Sequence, residues 1–147
     1  MIKTDSFELH EYDSSNVDDR KTIITLFNDD KTRLFLGNID AFIDNVRNNK
    51  DIYSNVYIAS FKGEHIGLIS LNYLQSKYEI CYAILPEKRR QGLASLLLGE
   101  FTEYVFNNTD IKDLYLYINT ANKSSLLVAY NNDYTKTNRI EYKRSKR

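Results

Sequence analysis

The sequence predicts a mixed α/β fold of the α+β kind, with a mostly antiparallel central sheet flanked by helices. Three observations carry that expectation. Residues 56–61 and 66–71 are strand-like runs on either side of a glycine-containing connection, Lys62-Gly63-Glu64-His65, and read as an antiparallel hairpin. Residues 78–85 read as a further strand, stopped by the chain's only proline, Pro86. A helical stripe and then the apolar run 114–118 complete a strand–helix–strand unit, which implies a parallel crossover beside the antiparallel meander.

The elements follow in order. Residues 7–12, Phe-Glu-Leu-His-Glu-Tyr, alternate apolar with polar and form a first strand, and 13–16 supply turn and N-cap residues. A helix starts at Val17 with Asp18 and Asp19 in its first turn. Ile23, Ile24, Phe27 and Leu34 line its apolar face, and Asn28-Asp29-Asp30 is a weak point where it can break. Gly37-Asn38 ends it. Ile39, Phe42, Ile43 and Val46 then repeat at helical spacing, and polar residues 48–51 close this second helix. Leu93, Leu96, Leu97, Phe101, Tyr104 and Val105 trace one stripe of a helix over about 92–107, with Glu100 and Glu103 on the other side. Leu126, Leu127 and Tyr130 suggest a last short helix ending near Asn131-Asn132-Asp133, residue types that tolerate a left-handed cap. Tyr134 and residues 139–143 add edge strands, and the basic tail 143–147 is expected in solvent.

Composition limits the function classes. A chain of 147 residues fits one domain spanning 1–147. Lysine plus arginine and aspartate plus glutamate number 20 each, so no overall field recruits nucleic acid or an anionic membrane. The single cysteine, Cys81, excludes an internal disulfide framework, and residues 1–6 carry no apolar signal segment, so a cytoplasmic protein is expected. No apolar run approaches the roughly 20 residues that span a bilayer. His10 and His65 stand isolated, and no cluster has metal-ligand spacing, so no metal is expected. The 12 tyrosines read mainly as core and sheet residues with a polar tip.

The most informative stretch is 84–94. Lys88, Arg89 and Arg90 sit at the positive end of the helix that follows, where the macrodipole disfavours them unless an anion lies between. Gly92 lets the backbone approach a ligand, and first-turn N–H groups have no internal partners. A bound phosphate is the expectation, against a merely solvated loop.

Arg89-Arg90-Gln91-Gly92-Leu93-Ala94, placed between strand and helix, resembles the Arg/Gln-x-x-Gly-x-Gly/Ala signature of the GNAT N-acetyltransferase family, and the resemblance runs over nearly the whole chain. It implies a GNAT-like acyl-CoA acyltransferase fold with acetyl-CoA on this loop. Backbone amides from about Arg90 through Gln91, Gly92, Leu93 and Ala94 to Ser95 would hold the pyrophosphate, with Arg89 beside them. The backbone of Ile84 and Leu85 would pair with the pantetheine arm. Asn122-Lys123-Ser124-Ser125 is similar to the family's Asn-x-x-Ser/Ala element, which places the Asn122 side chain on the pantetheine and Ser125 near the thioester. Residues 128–134 are similar to the Val-Ala-x-x-x-Gly-Phe ending of the branch that acetylates ribosomal proteins and antibiotics, with Asp133 for the glycine and Tyr134 for the phenylalanine.

Acyl transfer to an amine needs a neutral amine, a polarised carbonyl and a proton for the departing thiolate. Relatives carry an acidic residue near Glu79, which makes it the candidate general base; its alternative is cross-strand pairing or solvent exposure. Period 2 puts Glu79 on the face of Cys81 and Ala83, opposite Tyr78, Ile80 and Tyr82. The family's usual acid, a tyrosine seven residues after the motif asparagine, is Ala129 here, and Tyr130 lies about 100° further round a helix. Ser125 is the candidate acid, and a helix N-cap its alternative. The reading is transfer of an acetyl group from acetyl-CoA to a primary amine, on a protein or small molecule, by direct attack in a ternary complex. A monomer or homodimer, with no nucleic-acid or membrane partner, is expected. The alternative is a non-catalytic CoA-binding or protein-interaction domain that retains the fold. Residues 32–46 and the C-terminal strands would choose the acceptor.

Overall fold

In the computed structural model, which describes residues 1–48 and 51–147, two tight turns set the centre of the sheet. Lys62-Gly63 (φ 51° and 82°) and Gln75-Ser76 (φ 52° and 66°) are left-handed pairs, the geometry of a two-residue type I′ connection. They join β3 (Asn55–Phe61), β4 (Glu64–Leu74) and β5 (Lys77–Ile84) into an antiparallel meander. The hairpin connection is thus shorter than the four residues expected, because Glu64 and His65 already pair with Phe61 and Ser60.

β1 (Ile2–Lys3) and β2 (Phe7–Glu11) extend the sheet on one side. On the other lie β6 (Asp113–Tyr117), β7 (Thr135–Lys136) and β8 (Glu141–Ser145), giving the order β1-β2-β3-β4-β5-β6-β8-β7. Among the described residues only β5 and β6 run parallel. The mixed, mostly antiparallel sheet flanked by helices is the architecture the sequence predicts. β8 differs: expected at an edge, it lies between β6 and β7, and the outermost strands are two residues each.

Among the described residues five α-helices cover the two faces: α1 (Val17–Phe27), α2 (Asp30–Leu36), α3 (Ile39–Arg47), α4 (Leu93–Asn108) and α5 (Lys123–Asn131). The side chains of Asn16, Asp29 and Asn38 accept N–H bonds from Asp19, Thr32 and Asp40 and so cap the first three. Asp29 explains the break at Asn28-Asp29-Asp30, since its carboxylate starts a new helix there. The buried face of α1 is Ile23, Leu26 and Phe27, spaced i, i+3, i+4. Ile24, one residue round, is exposed, and Leu34, beyond the break, is 75% exposed, so neither belongs to that face as expected. Of the polar closure at 48–51, residues 49 and 50 lie outside the described residues.

One core lies between the sheet and α4 with α5, built from Phe7, Leu9, Ile80, Ile84, Leu97, Leu98, Phe101, Leu114 and Leu116 among others. The second lies under α1 and α3, around Ile23, Leu26, Phe42, Val56, Ile58, Leu68, Ala83 and Leu85. Each valine, leucine, isoleucine or phenylalanine among them contributes about 1.5–3 kcal/mol on burial. Leu96, Leu127 and Tyr130, expected on apolar stripes, are exposed, and Ala129 is the buried residue of α5.

The basic tail is partly folded in: Lys143 and Arg144 are half-buried in β8, while residues 145–147 are exposed as expected. Arg144 is paired with Leu114 in the ladder and lies over the Phe106 ring at 5.9 Å. Its stem covers the core while its guanidinium meets Glu103. Lys143 lies 3.8 Å from Asp113 and Arg147 2.6 Å from Asp133, so these tail cations face carboxylates of the same chain. Asp133 takes the left-handed conformation expected of it, at φ 63°. His10 and His65, isolated in sequence, stand with ring centroids 5.6 Å apart, because β2 and β4 are both neighbours of β3.

Gly67 has no room for a side chain: a Cβ built there lies 2.0 Å from the Ala83 carbonyl oxygen of β5. Gly67→Ala must therefore push the Ala83–Ile84 backbone aside. Urea unfolding is expected to show a loss of about 1–3 kcal/mol, the usual cost of overpacking.

Candidate active site

The sheet opens where β5 and β6 part. They share a single bridge, Glu79 with Tyr115, after which β5 runs on to Ile84 with no β6 partner. Toward β4 the ladder alternates: the Leu85 N–H donates to the Ile66 carbonyl at 2.8 Å, which makes that pair hydrogen-bonded and the Gly67–Ile84 pair not. The main-chain groups of Tyr82 and Ile84 therefore point into the gap. Leu85, expected to offer its backbone there with Ile84, does not: its N–H is on Ile66 and its carbonyl accepts the Lys88 N–H at 2.9 Å.

After a 3₁₀ turn at Pro86–Lys88 the chain reaches α4 through Arg90 (φ 63°) and Gly92 (φ 75°), both left-handed. Gly92 is the N-cap, no side chain caps the helix, and the first α4 amide bonded to it is that of Leu96, on the Gly92 carbonyl. The amides of Leu93, Ala94 and Ser95 are thus left without helical partners. No acidic residue stands in the first turn, and a Cβ at Gly92 would meet nothing within 4 Å. This is an open cluster of N–H donors at the positive end of a sixteen-residue helix, suited to an anion.

The three cations ahead of it are not equivalent. Lys88 is paired with Glu64. Arg89 donates to Asp29 at 2.8 Å, to Thr32 and to the Ile84 carbonyl at 3.1 Å, and its amide bonds the Pro86 carbonyl. Arg89, expected beside the phosphate, is instead a clamp that ties this loop to the cap of α2. Its guanidinium holds the Asp29 carboxyl below the usual aspartate range. Arg90 and Gln91 are exposed, and Arg90 has no carboxylate partner among the described residues.

Two polar groups of side chains flank the gap. On the α1 and α3 face, Ser70 stands opposite Cys81 and Asn72 opposite Glu79. Burial pushes the Glu79 carboxyl above the ordinary glutamate range, an effect that bonds from Asn72 and the Cys81 thiol partly offset. Burial likewise raises the Cys81 thiol, which keeps it protonated. Leu114 and Leu116 of β6 face α4, so Tyr115 and Tyr117 share the face of Glu79. The Tyr117 hydroxyl donates to Glu141 at 2.9 Å, and Lys77 and Thr137 each reach that carboxylate at 2.7 Å. Lys77 first and Thr137 second depress Glu141 to about 2.

On the other face Asn122 caps α5, accepting the Ser125 N–H at 3.3 Å. The capping alternative weighed for Ser125 therefore falls to Asn122, and the Ser125 hydroxyl is left over for other work. The Tyr82 hydroxyl, buried without a well-directed hydrogen bond, lies close to it. Burial raises that phenol, and Ser125 partly offsets the rise. Ala129 is fully buried and Tyr130 79% exposed, so neither supplies an acid. Asn132 was not singled out in the sequence; its side-chain amide donates to the Ser95 and Val128 carbonyls at 3.0 and 2.9 Å and binds α4 to α5. Ser70, Asn72, Tyr82 and Glu141 were also missed as a set, because each is a lone polar residue in an apolar run until pairing aligns them.

The family model described as "Acetyltransferase (GNAT) domain" matches residues 12–135. A search of curated proteins finds no match. Among solved structures the chain is similar to an acetyltransferase from Agrobacterium tumefaciens, at TM-score 0.79 and 14% identity over 99% of this chain and 94% of the other. It is also similar to a Salmonella typhimurium acetyltransferase described as modifying the N-terminal serine of 50S ribosomal subunit protein L7/L12, at TM-score 0.70 and 17% identity over 98% and 97%. A third is aminoglycoside acetyltransferase AAC(6')-Ib in complex with coenzyme A, at TM-score 0.75 and 12% identity over 95% of each chain.

The Arg89 clamp is testable apart from activity. A double-mutant cycle with Arg89→Ala and Asp29→Ala should give a coupling of about 0.5–1.5 kcal/mol, the range of a half-exposed charged hydrogen bond. Because Asp29 is depressed in the folded state, the clamp is fully present above the ordinary aspartate pKa of about 3.9 and is lost as pH falls below it. Arg89→Ala should remove that part of the acid dependence in thermal melts.

Proposed function

The chain belongs to the GNAT acetyltransferase family and is an acetyl-CoA-dependent enzyme that acetylates amines, and from that premise we propose that transfer occurs by direct attack within a ternary complex in the gap between β5 and β6. The observation that carries this reading is the pairing of an unfilled strand edge at Tyr82 and Ile84 with uncapped amides at the start of α4. Gly92, Leu93, Ala94 and Ser95, with exposed Gln91 and Arg90, would hold a pyrophosphate, and the Ile84 N–H an amide of the pantetheine arm. The free edge of the Asn122 side-chain amide would do the same from α5. Acetyl-CoA supplies the thioester whose acetyl group is transferred.

The chain's own groups divide the proton work between the two faces. Glu79, with its raised pKa and its place beside Tyr117, takes a proton from the acceptor amine, leaving a lone pair to form the new N–C bond as the C–S bond breaks. Ser125, backed by the Tyr82 hydroxyl, passes a proton to the departing sulfur. The acceptor enters on the α1 and α3 side, where Glu79 lies. We assign the enzyme to the cytoplasm as a monomer or homodimer; two-residue outer strands limit edge pairing.

Thiol release with acetyl-CoA and a panel of amines, peptides and proteins tests the activity. Gly92→Glu should abolish coenzyme binding in calorimetry while the protein still melts cooperatively, at a cost of about 1–2 kcal/mol for a side chain at φ 75° with nothing packed against it; retained binding refutes the loop assignment. Glu79→Gln should lower kcat by about 10²–10⁴-fold. In the wild type kcat/KM should rise with pH as Glu79 loses its proton, with a midpoint above the exposed-glutamate value of about 4.3, and the variant should lack this limb. An unaltered acid limb in Glu79→Gln would remove Glu79 from the mechanism.

A further inference from the structure

We propose that His10, Asp19 and His65 form a binding site for a divalent transition-metal ion of the zinc type, separate from the acetyl-transfer gap. The three residues come from β2, the first turn of α1 and β4. Their ligand atoms all lie within 4.8 Å of one another. Asp19 Oδ1 is 2.7 Å from His10 Nε2 and 3.9 Å from His65 Nε2. These separations bracket the roughly 3.3 Å that tetrahedral geometry sets between ligands about 2.0–2.1 Å from zinc. Two imidazoles and one carboxylate are a zinc donor set that leaves a fourth position for water, and the half-exposed histidines leave that side open.

The groups behind the ligands are arranged as a metal site requires. Thr22 Oγ1 lies 3.0 Å from the Asp18 carbonyl and 2.7 Å from His65 Nδ1, so a hydroxyl that gives its one proton to that carbonyl accepts the Nδ1–H of His65. In that neutral tautomer the Nε2 lone pair is turned toward the Asp19 carboxylate. Two electron-rich atoms facing each other call for a cation between them. Asp19 itself is 1% exposed, and its other oxygen accepts the Asp13 N–H at 3.0 Å. No lysine or arginine pairs with it among the described residues; the partners of its Oδ1 are the two histidines, with His10 Nε2 at hydrogen-bond distance, 2.7 Å, where a proton or a metal ion can join them. An ion bound by Asp19 Oδ1 and the two Nε2 atoms takes the place of the proton between Asp19 and His10, neutralises the carboxylate and pins α1 to β2 and β4.

The test uses the full chain freed of metal by a chelator and then titrated with zinc, with cobalt(II) as a spectroscopic substitute. One equivalent should bind, cobalt should give the visible absorption of a four-coordinate site, and a hundredfold excess over Kd should raise the melting temperature by roughly 5–10 °C. His65→Ala should lose the cobalt spectrum and the zinc-induced shift while melting cooperatively in chelator. Thr22→Val, which removes only the support behind His65, should weaken binding about 10–100-fold. If His65→Ala fails to fold, His10→Gln serves in its place. The proposal is overturned if the wild type binds no stoichiometric zinc, or if the shift persists in the histidine variants. Acetyl transfer plays no part in these readouts, so the two assignments stand or fall separately.

Discussion

The divergence of two parallel strands after one bridge organises this protein. A sheet normally satisfies every interior main-chain group with a neighbour, because a buried unpaired amide or carbonyl is costly. Here Tyr82 and Ile84 turn theirs toward a strand that has already left. The divergence is stable because each side is held independently. β5 is anchored by its ladder to β4, while β6 is anchored by β8, and α4 with α5 covers one face of both. Arg89 then closes the far end of β5 onto the cap of α2, so the loop that begins α4 is positioned from two directions.

That arrangement also separates chemical environments. A residue of β5 sends its side chain to one face or the other by parity, so Glu79 and Tyr82, three residues apart, sit on opposite sides of the same opening. One meets Asn72, Cys81 and Tyr117, and the other meets Ser125. A gap one strand wide thus has a carboxylate on one wall and hydroxyls on the other.

Much of this was legible in the sequence. Hairpin turn residues, the 3.6-residue stripe of α4, the glycine at its start and the period of β5 are local signals, and local geometry obeyed them. The face of Glu79 and the left-handed Asp133 followed for the same reason. What escaped was set by partners distant in the chain. Arg89 reads as a phosphate ligand until Asp29, sixty residues earlier, proves to be its partner. The basic tail reads as solvated until β6 offers it a ladder and Glu103 a carboxylate. Leu34, Leu96 and Leu127 have the right residue type and the wrong side of a helix, an error of one position that no apolar count detects. His10 and His65 are fifty-five residues apart and become neighbours only because β3 pairs with both their strands.

The outer strands of this sheet are short, which protects a protein from joining its edges to those of other chains. The stretch at Tyr82 and Ile84 is an edge of another kind, located in the middle of the sheet, where β6 offers no partner and the Arg89 side chain takes the Ile84 carbonyl. It is guarded by depth: a second sheet cannot enter a slot walled by β6 and the helices, whereas a single thin chain bearing amides can. The same absence of a neighbour that would make an outer strand sticky here acts as a filter on molecular width. Protection of this inner edge and access to it are thereby governed by one geometric fact, the place where β6 turns away.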